Sequence, residues 1–355
     1  MDETLGGPAD RGCILTCVTS IVIPAHNEAP VIGRLLDALL SGPADGPAPD
    51  VVVVCNGCTD DTAKAAARPG VRVVEVPLPS KHDALRTGDA HARGFPRLYV
   101  DADVVIGAAD VRALAETVAG GGPVLAAAPA RDLPMTGCAW PVRAYYRVWQ
   151  RLPAVREGLF GRGVIAVSRE GHARLAALPP LMADDLAASL AFAPGERRVV
   201  EQARVTVRPP RTWADLIRRR VRADTSSAQL EARQAEEARR ARAGAPAPAA
   251  GGAAGAGTAA ALGSPAGNGG GPDAGAGAPG PAPAPSAPAA GAPGPPPSAR
   301  TRPADLRRLL YAEPWLLPHV AVFLTVAAVA RRTSRKAIRD GDFDTWLRDE
   351  SSRRD

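Results

Sequence analysis

Aromatic residues are scarce in this 355-residue chain, at 4%. That scarcity matters because the net charge of +6 is unevenly spread, with Arg concentrated from Arg211 to Arg242 and again from Arg331 to Arg339. Such patches imply an anionic partner, and without a platform of rings for bases to stack on, nucleic acid fits poorly. Diphosphate groups or anionic lipids fit better. Cysteine is also sparse and odd in number, five in all, which does not suggest a disulfide framework. Cys55 and Cys58 have C-x-x-C spacing, and Cys13 and Cys17 offer two further thiols, but no second C-x-x-C accompanies them as a zinc site would require. No G-x-G-x-x-G follows the first predicted strand and no G-x-x-x-x-G-K-[ST] occurs, which argues against a dinucleotide or P-loop site. Met1 to Arg11 lacks the basic-then-apolar order of a signal peptide, so the core is expected to stay in the cytoplasm.

Three regions follow from composition. Residues 243–299 are almost entirely Ala, Gly and Pro with no aromatic, and read as a disordered linker that cannot bury enough apolar surface to offset its ordering entropy. They separate a core domain, 1–242, from a C-terminal helical segment, 300–355. In the core, β-branched runs alternate with Ala/Leu-rich helical stretches. Strands are predicted at Val18–Ile23, Val51–Val54, Val71–Val76, Leu98–Val105 and Val124–Ala127. Helices are predicted at Ala29–Leu40, from Asp60-Asp61-Thr62 onward, at Ala84–Ala92 and at Val111–Ala119. This βα rhythm predicts an α/β fold with a mostly parallel central sheet and helices on both faces. Such sheets bind ligands beyond the carboxyl ends of their strands, where Pro24–Glu28, Cys55–Asp60 and Asp101 with Asp103 should converge.

Asp101-Ala102-Asp103 is the most informative of these clusters. Two carboxylates one residue apart beside buried apolar runs are expensive to desolvate unless a cation compensates them. A hard divalent ion, Mg²⁺ or Mn²⁺, takes oxygen ligands and completes its shell with water and substrate phosphate. Gly158 to Gly163, with Gly161 and Gly163, reads as a substrate-facing loop or a plain turn.

Four motifs in order resemble family 2 of the glycosyltransferases from about Thr19 to Arg222. They are Ser20–Glu28 (SIVIPAHNE), Asn56–Thr62 (NGCTDDT), Lys81 with Ala84-Leu85 and Gly88, and Asp101-Ala102-Asp103. The resemblance implies a GT-A fold, a nucleoside diphosphate sugar donor, a divalent cation, a hydroxyl acceptor in a glycan, lipid or small molecule, and inversion at the anomeric carbon. It assigns Pro24, Asn27, Glu28, Asn56 and Lys81 to the nucleotide, Asp103 to the metal, and Asp101 to ribose or metal-bound water. Met182-Ala183-Asp184-Asp185-Leu186 resembles the family's paired acids. Asp185 is then the base for the acceptor hydroxyl, supported by Asp184, against the plain reading of a helix cap. Arg219 and Arg222 resemble basic residues that face the donor diphosphate.

The chain also departs from the pattern. Gln and Trp are missing from the processive Gln-x-x-Arg-Trp motif, which points to a non-processive enzyme. Cys55-Asn56 stands where many relatives carry two aspartates, so the nucleobase is open, and His26 replaces the usual Tyr, either to stack on the nucleoside or to fill a turn. Alternatives are a nucleotidyltransferase on a related sheet, which lacks its Gly-rich triphosphate loop here, and an inactive nucleotide-sugar-binding scaffold.

Trp315–Ala330 is an uncharged apolar run of 16 residues followed by Arg331, Arg332, Arg335 and Lys336. As a helix it reaches about 24 Å, short of a ~30 Å hydrocarbon core, and Pro318 and His319 are expected to interrupt it. A peripheral contact with an anionic cytoplasmic membrane face is expected, against a helix packed on the core domain.

Overall fold

The computed structural model describes residues 18–41, 48–178, 184–242, 301–339 and 351–353. The expected linker 243–299 lies outside them, as do Cys13, Cys17, Met182, Ala183 and the side chains of Asp184 and Lys336.

Eight strands alternate with helices in chain order. The strands are β1 Ser20–Ala25, β2 Asp50–Asn56, β3 Val71–Val76, β4 Arg97–Val100, β5 Val105–Ile106, β6 Ala126–Asp132, β7 Val164–Val167 and β8 Arg197–Thr206. The helices of the first half are α1 Ile32–Leu40, α2 Thr62–Ala66, α3 Lys81–His91 and α4 Ala108–Ala119. Those that follow are α5 Trp140–Trp149, α6 Pro153–Glu157, α7 Arg169–Ala176, α8 Asp184–Leu190, α9 Trp213–Arg242, α10 Pro303–Ala312 and α11 Leu317–Arg339.

The strands form one sheet in the order β3-β2-β1-β4-β7-β6-β8-β5. The first four are parallel, as the βα rhythm predicts. Beyond β4 the sheet becomes mixed, because β7 runs antiparallel to both β4 and β6 while β8 is parallel to β6. Alternate residues of the central strands sort to two faces, as period-two geometry requires. Ile21, Ile23, Val51 and Val53 pack with Ile32, Leu35, Leu36 and Leu114 of α1 and α4. Val52 and Val54 face Ala84 of α3 on the other side. There α3 presses so closely on β1 that a Cβ at Gly88 would meet Val22 Cγ1 at 2.2 Å, so only glycine permits the approach.

Three expectations are corrected in detail. The single strand expected over Leu98–Val105 is two: β4 ends at Val100, and β5 pairs antiparallel with β8 at the far edge, leaving Asp101–Val104 as a turn between them. The third helix begins at Lys81 rather than Ala84, capped by Ser80, whose side chain accepts from Asp83 N at 3.2 Å. Pro318 does not interrupt the C-terminal helix. It is the second residue of α11, in the first turn, where a missing N–H costs nothing.

Residues Leu316, Val320, Phe323, Val326 and Ala330, spaced by three and four, lay one face of that segment against α5, with Phe323 stacked on Tyr145 at 5.1 Å between ring centroids. The alternative of a helix packed on the core domain therefore holds for this face. The opposite face keeps Leu317, Leu324 and Val329 exposed, and Arg331, Arg332 and Arg335 follow them in solvent.

Candidate active site

The loops after β1 and β2 are fastened to each other by their own motif residues. Asn27, in the left-handed region at φ 50°, accepts at Oδ1 from Thr59 N at 2.7 Å. Thr62 Oγ1 accepts from Glu28 N at 2.8 Å and donates to Asp60 Oδ1, while Asp60 Oδ2 accepts from Ala29 N at 3.2 Å. His26 donates from Nδ1 to the Asn56 carbonyl at 2.6 Å, which ties the ring to the end of β2. Asn56 is buried, and with its amide turned to satisfy both ends it donates to Ala25 O at 2.7 Å and accepts from Ser80 N at 3.2 Å. Pro24 is buried within β1 opposite Val54, beyond the point where pairing with β4 stops at Val22, so its missing N–H leaves no ladder bond unmade.

Cys58 Sγ also bridges the loops, donating to Ala25 O and accepting from Asn27 N, each at 3.4 Å. Burial, and next the neighbouring Cys58, push the Cys55 thiol up to about 12, the opposite of what a thiolate ligand or redox nucleophile needs.

The carboxylates at the centre meet cations instead. Lys81 Nζ donates to Asp101 Oδ1 at 2.8 Å, so the lysine at the start of α3 reaches the turn after β4. Asp103 is more open, with a side chain 41% exposed, and its Oδ2 lies 3.5 Å from Arg353 Nη2. Glu28, almost buried, is held by the same guanidinium. Among the described residues no group of three or more His, Cys, Asp or Glu side chains could hold a metal. The oxygen donors of Asp101 and Asp103 are of the kind a hard divalent ion takes while drawing the rest of its shell from water and phosphate, and Lys81 and Arg353 stand beside them here.

The glycine-rich loop ties this centre to the expected base. Asp101 N donates to Gly163 O at 2.8 Å, and Gly161 N donates to Asp185 Oδ2 at 2.9 Å. Gly163 has φ 66°, and a Cβ there would meet Val104 Cγ1 at 2.5 Å and Asp101 Oδ2 at 3.3 Å. The loop therefore lies directly on the acidic turn. Asp185 is exposed, and its other oxygen accepts from Leu186 N at 2.7 Å, so it also caps α8.

Two arginines that the sequence motifs did not single out grip this loop by its main chain. Arg131 donates to the carbonyls of Phe160, Gly161 and Val155 and lies over the Trp149 ring, 4.6 Å from its centroid. Arg162 donates to those of Gly158, Pro129, Val155 and Arg156. Burial, then the Arg162 guanidinium, lower the pKa of Arg131, and Asp185 acts in the opposite sense, which places Asp185 and Arg219 both within electrostatic reach of Arg131. Arg219 donates to Arg208 O at 3.3 Å, and Arg222 is half-buried one turn further along α9. An Arg buried in a strand carries no local sequence signal. Arg353 had none either.

The family model described as glycosyl transferase family 2 matches residues 20–167, which hold β1 through β7 and every one of the four motifs. Over this stretch the chain is similar to glycosyl transferase family 2. Among curated proteins, glucosyl-3-phosphoglycerate synthase of Mycolicibacterium paratuberculosis is 37% identical over 94 residues, covering 24% of this chain and 28% of that protein. An uncharacterized glycosyltransferase of Mycobacterium bovis is 31% identical over 122 residues, 34% of this chain and 52% of that protein. The chain thus spans well under two thirds of these relatives. Among solved structures, a mannosyltransferase from Pyrobaculum calidifontis in complex with GDP-Man and Mn²⁺ aligns with a TM-score of 0.50 at 18% identity, over 96% of this chain and 86% of that one. At that identity the likeness establishes the GT-A type of fold.

Proposed function

We propose that this protein is a non-processive glycosyltransferase that moves a sugar from a nucleoside diphosphate sugar to a hydroxyl acceptor with inversion. The observation that carries the reading is the loop 158–163, which bonds to Asp101 at one glycine and to Asp185 at another and so fixes two acidic centres on one frame. Asp103 and Asp101 would hold Mn²⁺ or Mg²⁺, and a bound ion would supply neutralisation of the departing diphosphate. Glu28 and the stapled β1 and β2 loops bound the nucleoside. Arg219 and Arg222 face the diphosphate. Asp185 takes the proton from the acceptor hydroxyl as its oxygen bonds to the anomeric carbon, and the bond to the diphosphate breaks with its electron pair leaving on the nucleoside diphosphate. The relatives named above, one a glucosyl-3-phosphoglycerate synthase and one solved with GDP-Man and Mn²⁺, support this class of donor and metal.

Work at an anionic membrane face on the cytoplasmic side belongs to the same reading. Pro314–Arg335 is long and apolar enough to cross a membrane by length and composition, yet one side of it is committed to α5. A helix lying in the interface satisfies both facts, with Leu317 and Leu324 in the acyl boundary and Arg331, Arg332 and Arg335 at the headgroups.

Calorimetric titration with UDP and with GDP, each with and without Mn²⁺, tests the donor site. Metal-dependent binding of one nucleotide is expected, and metal-independent or absent binding of both defeats the reading. Sedimentation with phosphatidylserine vesicles should show binding at low salt that is lost as salt rises, and no binding at low salt removes the membrane role.

A further inference from the structure

The carboxylate that closes β1 has its partner 325 residues along the chain. In the 3₁₀ turn Ser351–Arg353, the Arg353 guanidinium donates from Nε to Glu28 Oε2 at 3.0 Å and from Nη2 to Glu28 Oε1 at 2.7 Å. The same Nη2 stands 3.5 Å from Asp103 Oδ2. Forked pairing of this kind is the strongest form of arginine–carboxylate contact, and these side chains are only 14% and 10% exposed, so water screens the pair little.

Glu28 and Asp103 are also the groups assigned above to the nucleoside and to the metal. Both oxygens of Glu28 are already engaged by the guanidinium. A divalent cation on Asp103 would stand within a few ångströms of a second positive charge, and like charges at that distance repel. The guanidinium and the metal–nucleotide complex therefore exclude each other from these two carboxylates.

We propose that the turn 351–353 is an internal competitor for the donor site, with Arg353 occupying on Glu28 and Asp103 the place that the metal–nucleoside diphosphate complex takes, and withdrawing when that complex binds. The proposal rests on the donor-site reading given above. Linkage makes the effect reciprocal: docking of the turn weakens the ligand by the factor with which the ligand releases the turn. The enzyme is thereby held in a charge-satisfied resting state, in which Asp103 has a cation beside it without metal.

The test compares the full chain with its Arg353→Gln and Arg353→Lys variants, by calorimetry with Mn²⁺ and UDP or GDP and by hydrogen exchange of the peptide containing 351–353. Arg353→Gln should bind the metal–nucleotide at least ~5-fold more tightly, at the lower end of ordinary coupling between sites, with Arg353→Lys between the two. In the unsubstituted protein the same ligands should speed exchange at 351–353. Equal or weaker binding by Arg353→Gln, or slower exchange on adding ligand, overturns the proposal, weaker binding showing instead that the guanidinium contacts the donor. If neither the unsubstituted protein nor Arg353→Gln binds either nucleotide with Mn²⁺, the donor-site reading fails and this proposal falls with it.

Discussion

The parallel half of the sheet and the mixed half hold their functional groups in opposite ways. In the parallel half the motif residues are spent on one another: Asn27, Asn56, His26, Asp60 and Thr62 all bond across the β1 and β2 loops, while Glu28, Lys81, Asp101 and Asp103 meet charged partners. In the mixed half, the loop 158–163 is gripped through its carbonyls by Arg131 and Arg162, and Asp185 is exposed while accepting from Gly161 N and Leu186 N. One half is a braced frame with few free groups. The other is an anchored loop presenting one acid. A frame stiffened by bonds among neutral and backbone groups orders a ligand's surroundings before binding, whereas an exposed carboxylate in the first turn of α8 leaves its side of the site open to solvent.

The contrast breaks most readily at Asp103. Replacing it with Asn should leave the fold intact and remove the Mn²⁺ dependence of nucleotide binding, with transfer falling about 10³-fold or more if Lewis-acid assistance is worth several kcal/mol. Retained metal-dependent binding in the calorimeter removes Asp103 from the metal site. In the mixed half, Asp185→Asn should keep donor affinity and lower transfer by ~10² to 10⁴-fold, measured as nucleotide release with saturating donor. Asp184→Asn should lower it less, and the two effects should not add. An Asp185→Asn enzyme with normal turnover would reduce this residue to the helix cap it also forms.

A smaller effect sharpens the join between the halves. Gly163→Ala puts a Cβ at φ 66° against Val104 and Asp101, and should cost about 1–3 kcal/mol, read as a lowered midpoint in thermal or denaturant melts. An unchanged midpoint would show that the loop does not lie on the acidic turn. The smallest effect is expected at Cys55. With its thiol pushed up to about 12 it stays protonated at every physiological pH, so iodoacetamide at pH 8 should leave it unmodified in the folded protein by peptide mass spectrometry. Labelling there before unfolding would reopen thiol chemistry at the C-x-x-C turn.

The parallel half was legible in the sequence because each strand is a continuous apolar run and each motif follows one directly; β1, β2 and β3 fall close to their expected places, and the family match covers them. The roles inside the motifs were less legible. An Asn or His in a loop beyond a strand end reads the same whether it bonds ligand or backbone, and here Asn56 and His26 bond backbone. Leu98–Val105 looked like one strand because hydropathy does not register that Val104 lies in a turn and that Val105 beyond it pairs with a strand a hundred residues away. Arg131 and Arg353 were invisible for the same reason: their partners are distant in sequence, and nothing local distinguishes them from the chain's many other arginines.

The split of that strand also has a geometric result. β4 and β5 are separated in the sheet by β7, β6 and β8, four strand spacings that amount to ~19 Å if the sheet were flat. The four residues Asp101–Val104 that join them span at most about 18 Å between the flanking Cα atoms when fully extended, and they form a turn. The short connection therefore draws the far edge round toward the middle, and the acidic turn is the tether that sets the curvature of the sheet. Residues inserted between Asp103 and Val105 would slacken that tether and let the concave side open.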